Sequence, residues 1–406
     1  RLYASGYFGN DKFYANFNDS YNQGGTTYDV NSENSLKWGN AIAALRWNYL
    51  ITPKLFSNTT LSFSKYNFNI GFSEEDTQTS SAGTSSNAFS FDYLSGIKDF
   101  SGKVDFDYNP HPDHFVKFGT GYTNHTFTPG VNTFKQNANG STEIDTSFGA
   151  KPINAGEFWV YAEDDFRIGQ RIKINAGLHF SGFMVDDVTY TSLQPRFSGR
   201  FLLNELSSIK ASFASMAQYL HLLTNTGIGL PTDLWVPPTA DIKPQFSNQV
   251  ALGFAQTIAK KYELSIEGYY KTMENLIEYK DGASFFGNSE TWEDKIEVGN
   301  GVSYGAELLF EKKIGKTSGW VGYTLSWSNR TFENLNFGET FPYRYDRRHD
   351  IGAAITHKFN DRVDIGVVWV YGTGNAVTLG TERYTSFQSV NDFNYGGTGY
   401  DEIEHI

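Results

Sequence analysis

Along much of this chain, apolar and polar side chains change places at every second residue. From 172 to 181, Ile172, Ile174, Ala176, Leu178 and Phe180 fall on one face, and Lys173, Asn175, Gly177, His179 and Ser181 on the other. That is a strand with one apolar side. The same period sets Phe100, Gly102, Val104, Phe106 and Tyr108 against Ser101, Lys103, Asp105 and Asp107, and Leu264, Ile266, Gly268 and Tyr270 against Glu263, Ser265, Glu267 and Lys271. It returns at Val116 to Tyr122, Ile209 to Phe213, Val321 to Trp327 and Val363 to Trp369. In 156–168 three consecutive acids, Glu163, Asp164 and Asp165, leave the register open.

A soluble sandwich and a membrane barrel both have strands with one apolar face, so connection lengths must separate them. Short breaks rich in turn residues fall at Gly9 to Asp11, Ile51 to Lys54, Asn109 to Asp113, Gly169 to Arg171, Asn204 to Ser207, Ala259 to Lys261, Gly315 to Ser318 and Asn360 to Arg362. Between them lie longer polar stretches. The order short, long, short, long puts all tight turns at one end of the strands, as in an outer-membrane barrel and unlike a Greek-key sandwich.

The expected fold is therefore all-β: a transmembrane antiparallel up-and-down β-barrel, with about 16 strands from the eight short turns. Residues 1–406 are expected to form a single barrel domain, with long extracellular loops near 73–96, 129–155, 224–245, 281–301, 332–345 and 378–406. Trp38, Trp47, Tyr49, Tyr108, Tyr122, Trp320, Trp327, Trp369 and Tyr371 fall toward strand ends, where amphipathic rings suit the headgroup layer. Arg46, Lys103, Asp105, Arg196, Arg200, Glu263, Glu267, Glu307 and Glu311 would point into a wet lumen.

Composition narrows the functional classes. The formal net charge of −12 argues against nucleic-acid binding, which needs basic groups to displace counterions from phosphates. Aromatic residues make up 17% of the chain and charged ones 19%, so this is no disordered polyelectrolyte. With no cysteine there is no disulfide, thiolate metal site or cysteine nucleophile. No apolar run reaches the roughly 18–20 residues of a spanning helix; Val363 to Ala376 comes nearest, and Asp364 and its glycines spoil it.

The sequence holds no H-E-x-x-H, P-loop or helix-opening dinucleotide motif. It is not expected to be an enzyme or to hold a cofactor or metal. His111, Asp113 and His114 could ligate a metal, but within Asn109-Pro-His-Pro-Asp-His they read first as polar turn chemistry.

Two clusters are candidate ligand sites. The loop Tyr219 to Pro238 carries Tyr219, His221 and Trp235 among glycines and prolines, a mixture suited either to stacking a ligand over a pore or to packing on itself. In the second, Arg344, Arg347 and Arg348 interleave with Asp346 and Asp350. An ion-pair network at the rim is favoured there, with a forked grip on a carboxylate or phosphate as the ligand reading.

The chain resembles the transmembrane barrel of TonB-dependent receptors. The resemblance lies in LQPRFSGRFLL from Leu193, SIKASFASMAQYLHLLTNTGIGLPTDLWVPPTADIKPQ, ELSIEGYYKTMENLIEYKDGASF, GWVGYTLSWSNRTFENLNFGETFPYRYDRRHDIGAAITHKF and WVYGTGNAVTL, with Tyr161 to Phe183 as the strand-turn-strand unit before them. It is specific over Tyr161 to Leu379 and diffuse before that.

The resemblance implies a barrel of 22 strands in the Gram-negative outer membrane, a plug domain, outer-membrane lipids around the wall, energy from TonB through the N-terminal region, and sometimes a surface lipoprotein partner. The cargo it implies is a large scarce nutrient: an iron chelate, cobalamin, an oligosaccharide or a peptide. With about 16 strands, no plug and no TonB box, the sequence is expected to be a fragment. The alternatives are a passive porin and a barrel-borne hydrolase using His349 with Asp350 or Asp346.

Overall fold

The computed structural model describes residues 1–406 apart from 150, 225–232, 282, 284–290, 381–383, 386–397, 400–402 and 406. The alternation becomes one antiparallel sheet of 17 strands. It begins with β1 (Leu2–Gln23), β2 (Thr26–Thr52), β3 (Leu55–Ser80), β4 (Gly83–His111) and β5 (His114–Ala138), followed by the short β6 (Ser141–Gly149). Then come β7 (Ile153–Ile168), β8 (Ile172–Val185), β9 (Val188–Asn204) and β10 (Ser207–Gln218).

A separate hairpin of β11 (His221–Leu223) and β12 (Leu234–Val236) interrupts the wall. The wall resumes as β13 (Gln245–Ile258), β14 (Tyr262–Tyr279), β15 (Ile296–Lys312), β16 (Thr317–Phe332), the two-residue β17 (Phe341–Pro342), β18 (His349–Asn360) and β19 (Val363–Gly372). Each long strand pairs with the next long strand, β5 reaching β7 and β16 reaching β18. Among the described residues β1 and β19 pair on one side only, so the up-and-down wall is not closed into a ring. No helix among them is long and apolar enough to cross a membrane.

Seven of the eight expected short turns join wall strands. The eighth does not exist: β1 runs straight through Gly9 to Asp11, where Gly9 faces Asn40 and Asn10 faces Gly39 in an unbroken ladder. Turn-forming residues there serve as small polar wall positions. Seven hairpins plus β1 make fifteen long strands, and β6 and β17 bring the sheet to 17 in place of the expected 16.

Two stretches expected as loops also fold differently. Residues 73–96 and most of 129–155 are strand, so β2 to β5 run 25 to 29 residues each. Their tips are tight: Gly24 and Gly25 take φ of 62° and 82°, and Asn139 and Gly140 take 48° and 79°. These left-handed pairs match the twist of a two-residue hairpin. The period-two signal fades in 73–87 because Ser, Thr, Asn, Asp and Glu occupy both faces above the apolar band, while the backbone ladder continues.

The register left open in 156–168 is settled by pairing. Val160 lies opposite Thr120 and Phe180 on the apolar face, whereas the Tyr161 hydroxyl donates to Asp105 Oδ1 at 2.9 Å on the polar one. Glu163 and Asp165 share that polar face, near Lys117 and bonded to Lys173 at 2.8 Å respectively. Asp164 points the other way, where His114 Nδ1 meets it at 2.7 Å.

On the apolar face Leu178, Phe180, Leu193, Phe197, Leu252, Ile266, Leu308 and Trp369 all stand exposed. Water would disfavour such a contiguous surface; a lipid phase removes the cost. The opposite face curls inward. Phe68 and Tyr93 from β3 and β4 share one buried cluster with Ile277, Tyr279 and Ile296 from β14 and β15. Strands that far apart in the order meet only if the sheet bends around an enclosed space, and β11–β12 fills its mouth.

Candidate functional site

Three groups of side chains surround that mouth. The first is the segment between β10 and β13. Its apolar residues Leu223, Leu234 and Val236 are buried among Phe68, Tyr93, Ile277 and Trp292. Three hydrogen bonds fasten its stems: Tyr219 Oη to Ser181 Oγ at 2.8 Å, Tyr190 Oη to the Thr239 carbonyl at 2.6 Å, and Gln245 Nε2 to His221 Nδ1 at 3.0 Å.

Tyr219 stacks on Phe183 with ring centres 5.2 Å apart and is only 4% exposed. His221 is fully buried, and burial lowers its pKa to about 4, so the imidazole is neutral at pH 7. Trp235 is half-buried opposite Leu222. Of the three ring residues singled out in this loop, two are thus internal pillars, and Trp235 alone keeps an open side. Residues 225–232, which hold the loop's glycines and Pro231, lie outside the described residues.

The second group is the arginine cluster, and the structure joins it to the first. Asp233, beside Leu234 at the loop end of the hairpin, accepts from the Tyr345 hydroxyl at 3.0 Å and faces Arg344 at 3.8 Å. Asp346 accepts from the Ser328 amide at 2.6 Å and from Arg348 at 3.1 Å, and Arg348 lies 4.5 Å over the Trp327 ring. Arg347 meets Asp350 at 3.9 Å on the open surface. All three arginines face carboxylates of the chain itself, the arrangement of a rim network. His349 Nδ1 is 2.9 Å from the Tyr323 hydroxyl, and neither Asp346 nor Asp350 is bonded to it.

Sequence reasoning missed a buried ion pair. Arg330 Nη1 reaches Glu278 Oε2 at 2.8 Å with both side chains nearly buried, and its guanidinium lies 3.4 Å over the Tyr343 ring. Glu278 and Arg330 lie at the ends of strands, where each reads as an ordinary solvated charge; Tyr343, from the segment that folds back onto the wall, and Thr224, which donates to Glu278 at 3.4 Å, cover them.

The third group is a ladder of rings on the inner face of the tall strands. Phe72 and Phe89, Phe89 and Phe134, Phe91 and Phe134, and Phe134 and Phe148 sit with ring centres 4.8 to 6.2 Å apart, the last pair stacked. Phe89-Ser-Phe91-Asp-Tyr93 does alternate in the sequence; a loop assignment hid that signal.

Below the mouth, the polar face carries the expected lumenal charges. Lys103 bonds Asp105 at 3.2 Å, Arg200 lies between Lys173 and Lys210 in register, and Glu267 faces Glu307. A buried His125 sits between Asp99 at 2.8 Å and Glu157 at 3.4 Å. In the β4–β5 turn His111 Nδ1 accepts from the Asp113 amide at 3.3 Å, and among the described residues no three acidic or histidine groups are placed to hold a metal ion. Gly119 and Gly121 lie under the rings of Tyr161 and Trp159 on the neighbouring strand, where a side chain would collide with them.

Comparison with known proteins adds the lineage. The family "TonB dependent receptor-like, beta-barrel" matches residues 1–402. No curated protein matches the sequence. Among solved structures, the FrpB iron transporter of Neisseria meningitidis (F3-3 variant) is similar at a TM-score of 0.54 and 11% identity, covering 92% of this chain and 69% of its own. The siderophore receptor PirA of Acinetobacter baumannii gives 0.51 at 12% identity, covering 90% and 67%. The ferripyoverdine receptor of Pseudomonas aeruginosa gives 0.50 at 9% identity, covering 99% and 64%.

Proposed function

Because the chain belongs to the TonB-dependent receptor-like β-barrel family, we propose that it forms the lipid-spanning wall of an outer-membrane receptor for active uptake of a large, scarce nutrient. The family match over almost the whole chain carries this reading. The inward hairpin supports it against a passive porin, since Leu223, Leu234 and Val236 fill the mouth with apolar side chains where an open pore would hold water. The site of action in this reading is the Gram-negative outer membrane, with TonB as the energy-coupling partner and the tall strands reaching outward.

For the cargo, the mouth offers rings in place of free cations. Phe72, Phe89, Phe91 and Phe134 supply stacking faces, while Arg344, Arg347 and Arg348 face acids of the chain. A ligand with a planar or sugar face suits that surface better than a compact anion. FrpB is an iron transporter and the Pseudomonas receptor binds ferripyoverdine, so an iron chelate bearing aromatic groups is the first cargo to test.

The test is uptake of such a chelate by cells carrying the full-length protein, with and without TonB, beside conductance in a planar bilayer. Uptake that needs TonB and a wall without steady conductance is expected. Steady open pores with TonB-independent flux would replace the receptor by a porin.

A further inference from the structure

The outward face changes character abruptly along the first four strands. Followed away from the short-turn end, β3 presents Thr59, Leu61 and Phe63 and then Lys65, Asn67 and Asn69; β4 presents Val104, Gly102 and Phe100 and then Lys98. On β2 the series Trp47, Leu45, Ala43, Ala41 and Gly39 ends at Lys37, and on β1 Leu2, Ala4, Gly6, Phe8 and Asn10 end at Lys12. On each of four adjacent strands, the first charged side chain beyond the apolar rows is a lysine.

The pairing of these lysines is unfavourable by itself. Lys65 lies directly opposite Lys98, and Lys12 directly opposite Lys37. Like charges in facing positions repel. Lys12 is relieved by Glu33 at 3.3 Å. Lys37, Lys65 and Lys98 are exposed and have no hydrogen-bond or ion-pair partner among the described residues. Asp99, the acid beside Lys98, points to the other face and is taken by His125.

Between the facing lysines lies a concavity of about 260 Å³, lined by Lys65, Asn67, Gly96, Lys98, Thr126 and Thr128. A β-bulge between Leu94 and Gly96 shifts the register against β5 there, and Gly96 lies so close to β3 that a side chain would collide with the backbone of Tyr66 and Asn67. One outward-facing row below Lys65 and Lys98, the same two strands carry the facing pair Phe63 and Phe100, with ring centres 4.9 Å apart. An anionic pocket occupant that also has apolar chains below it would satisfy both halves of this site: charge at the lysines and hydrocarbon against the rings.

We propose that the concavity under Lys65 and Lys98 binds the phosphate of an anionic outer-leaflet lipid, with Lys37 as a flanking contact. The inference rests on the membrane-spanning reading, because only there do the apolar rows below the lysines lie in hydrocarbon. Ammonium groups at that depth extend to the headgroup layer, where a phosphate neutralises two facing cations at once.

The test uses the full-length protein in lipid nanodiscs and native mass spectrometry with three probes: a bisphosphorylated lipid A, the same lipid with its phosphates removed, and inorganic phosphate. Retention of the bisphosphorylated lipid at least tenfold above the dephosphorylated one is expected, with no displacement by millimolar phosphate. The pair Lys65→Gln and Lys98→Gln should lower retention about tenfold, while Lys135→Gln, which removes a lysine already paired with Asp145 at 3.3 Å, should leave it unchanged.

Equal retention in the double variant, or equal retention of the two lipids, would overturn the site. Displacement by inorganic phosphate would make it a soluble-anion site and overturn the lipid assignment. A protein that stays in solution without detergent or lipid would instead defeat the membrane-spanning reading, so the two failures are told apart.

Discussion

The two halves of the wall solve the same problem differently. In β1 to β5 the strands continue for 22 to 29 residues and end in two-residue turns; from β7 to β19 the long strands run 10 to 18 residues, and the longest connecting segment carries the inward hairpin β11–β12. In the first half, polar residues above the apolar band still satisfy each other across the ladder, as in Ser20 to Asp29 at 2.6 Å and Asn69 to Asp92 at 3.1 Å. In the second, Pro237, Pro238 and Pro244 lack the amides a ladder requires, and the segment leaves the sheet to build its own apolar contacts. Tall strands thus present a surface, whereas the inward segments present a packed obstruction.

The largest expected break in this comparison is at the buried ion pair that fastens the second half. Arg330→Ala leaves Glu278 buried without its cation and should cost about 3–5 kcal/mol. Arg347→Ala, at an exposed pair, should cost under about 0.5 kcal/mol. Chemical denaturation in detergent measures both, and equal effects would mean that Glu278 is reached by water.

Next is Leu234→Ala. It removes buried methyl groups from the hairpin and should cost roughly 3 kcal/mol, seen as faster proteolysis within 219–245 while the β1–β5 turns are cleaved as before. Phe134→Ala, in the tall half, loses ring contacts on a partly open surface and should cost about 1 kcal/mol. If the two substitutions loosened both halves alike, the halves would be one cooperative unit.

The smallest effect is on pH. His221 is neutral when folded, with its pKa lowered from 6.5 to about 4, so the unfolded segment binds more protons between those values. Stability from this residue is complete above pH 6.5 and is lost as the pH falls toward 4. Amide protection factors in 219–245, which take out the intrinsic pH dependence of exchange, should therefore fall between pH 7 and pH 5 by more than those in β1–β5, and His221→Gln should remove the difference.

How far the sequence revealed this follows from where water lies. Along β8, lipid on one side and water on the other force strict alternation, so Ile172 to Phe180 and the turn at Gly169 to Arg171 were readable. Above the band, in 73–87, polar residues occupy both faces of β3 and β4 and the side-chain period disappears, so the residues there read as loop although the ladder continues. For the candidate site, the link of Asp233 to Tyr345 spans 112 positions and carries no local signal. The burial of Tyr219 and His221 likewise depends on a chain reversal that glycines and prolines permit but do not direct.

Since the chain has no cysteine, single cysteines bearing a spin label can be placed one at a time along 172–181 in the full-length protein in bilayers. Collision with oxygen should peak at 174, 176, 178 and 180, and collision with a water-soluble nickel reagent at 173, 175, 177 and 179. A flat profile, or nickel access at the even positions, would contradict a wall with lipid on one face and an aqueous lumen on the other.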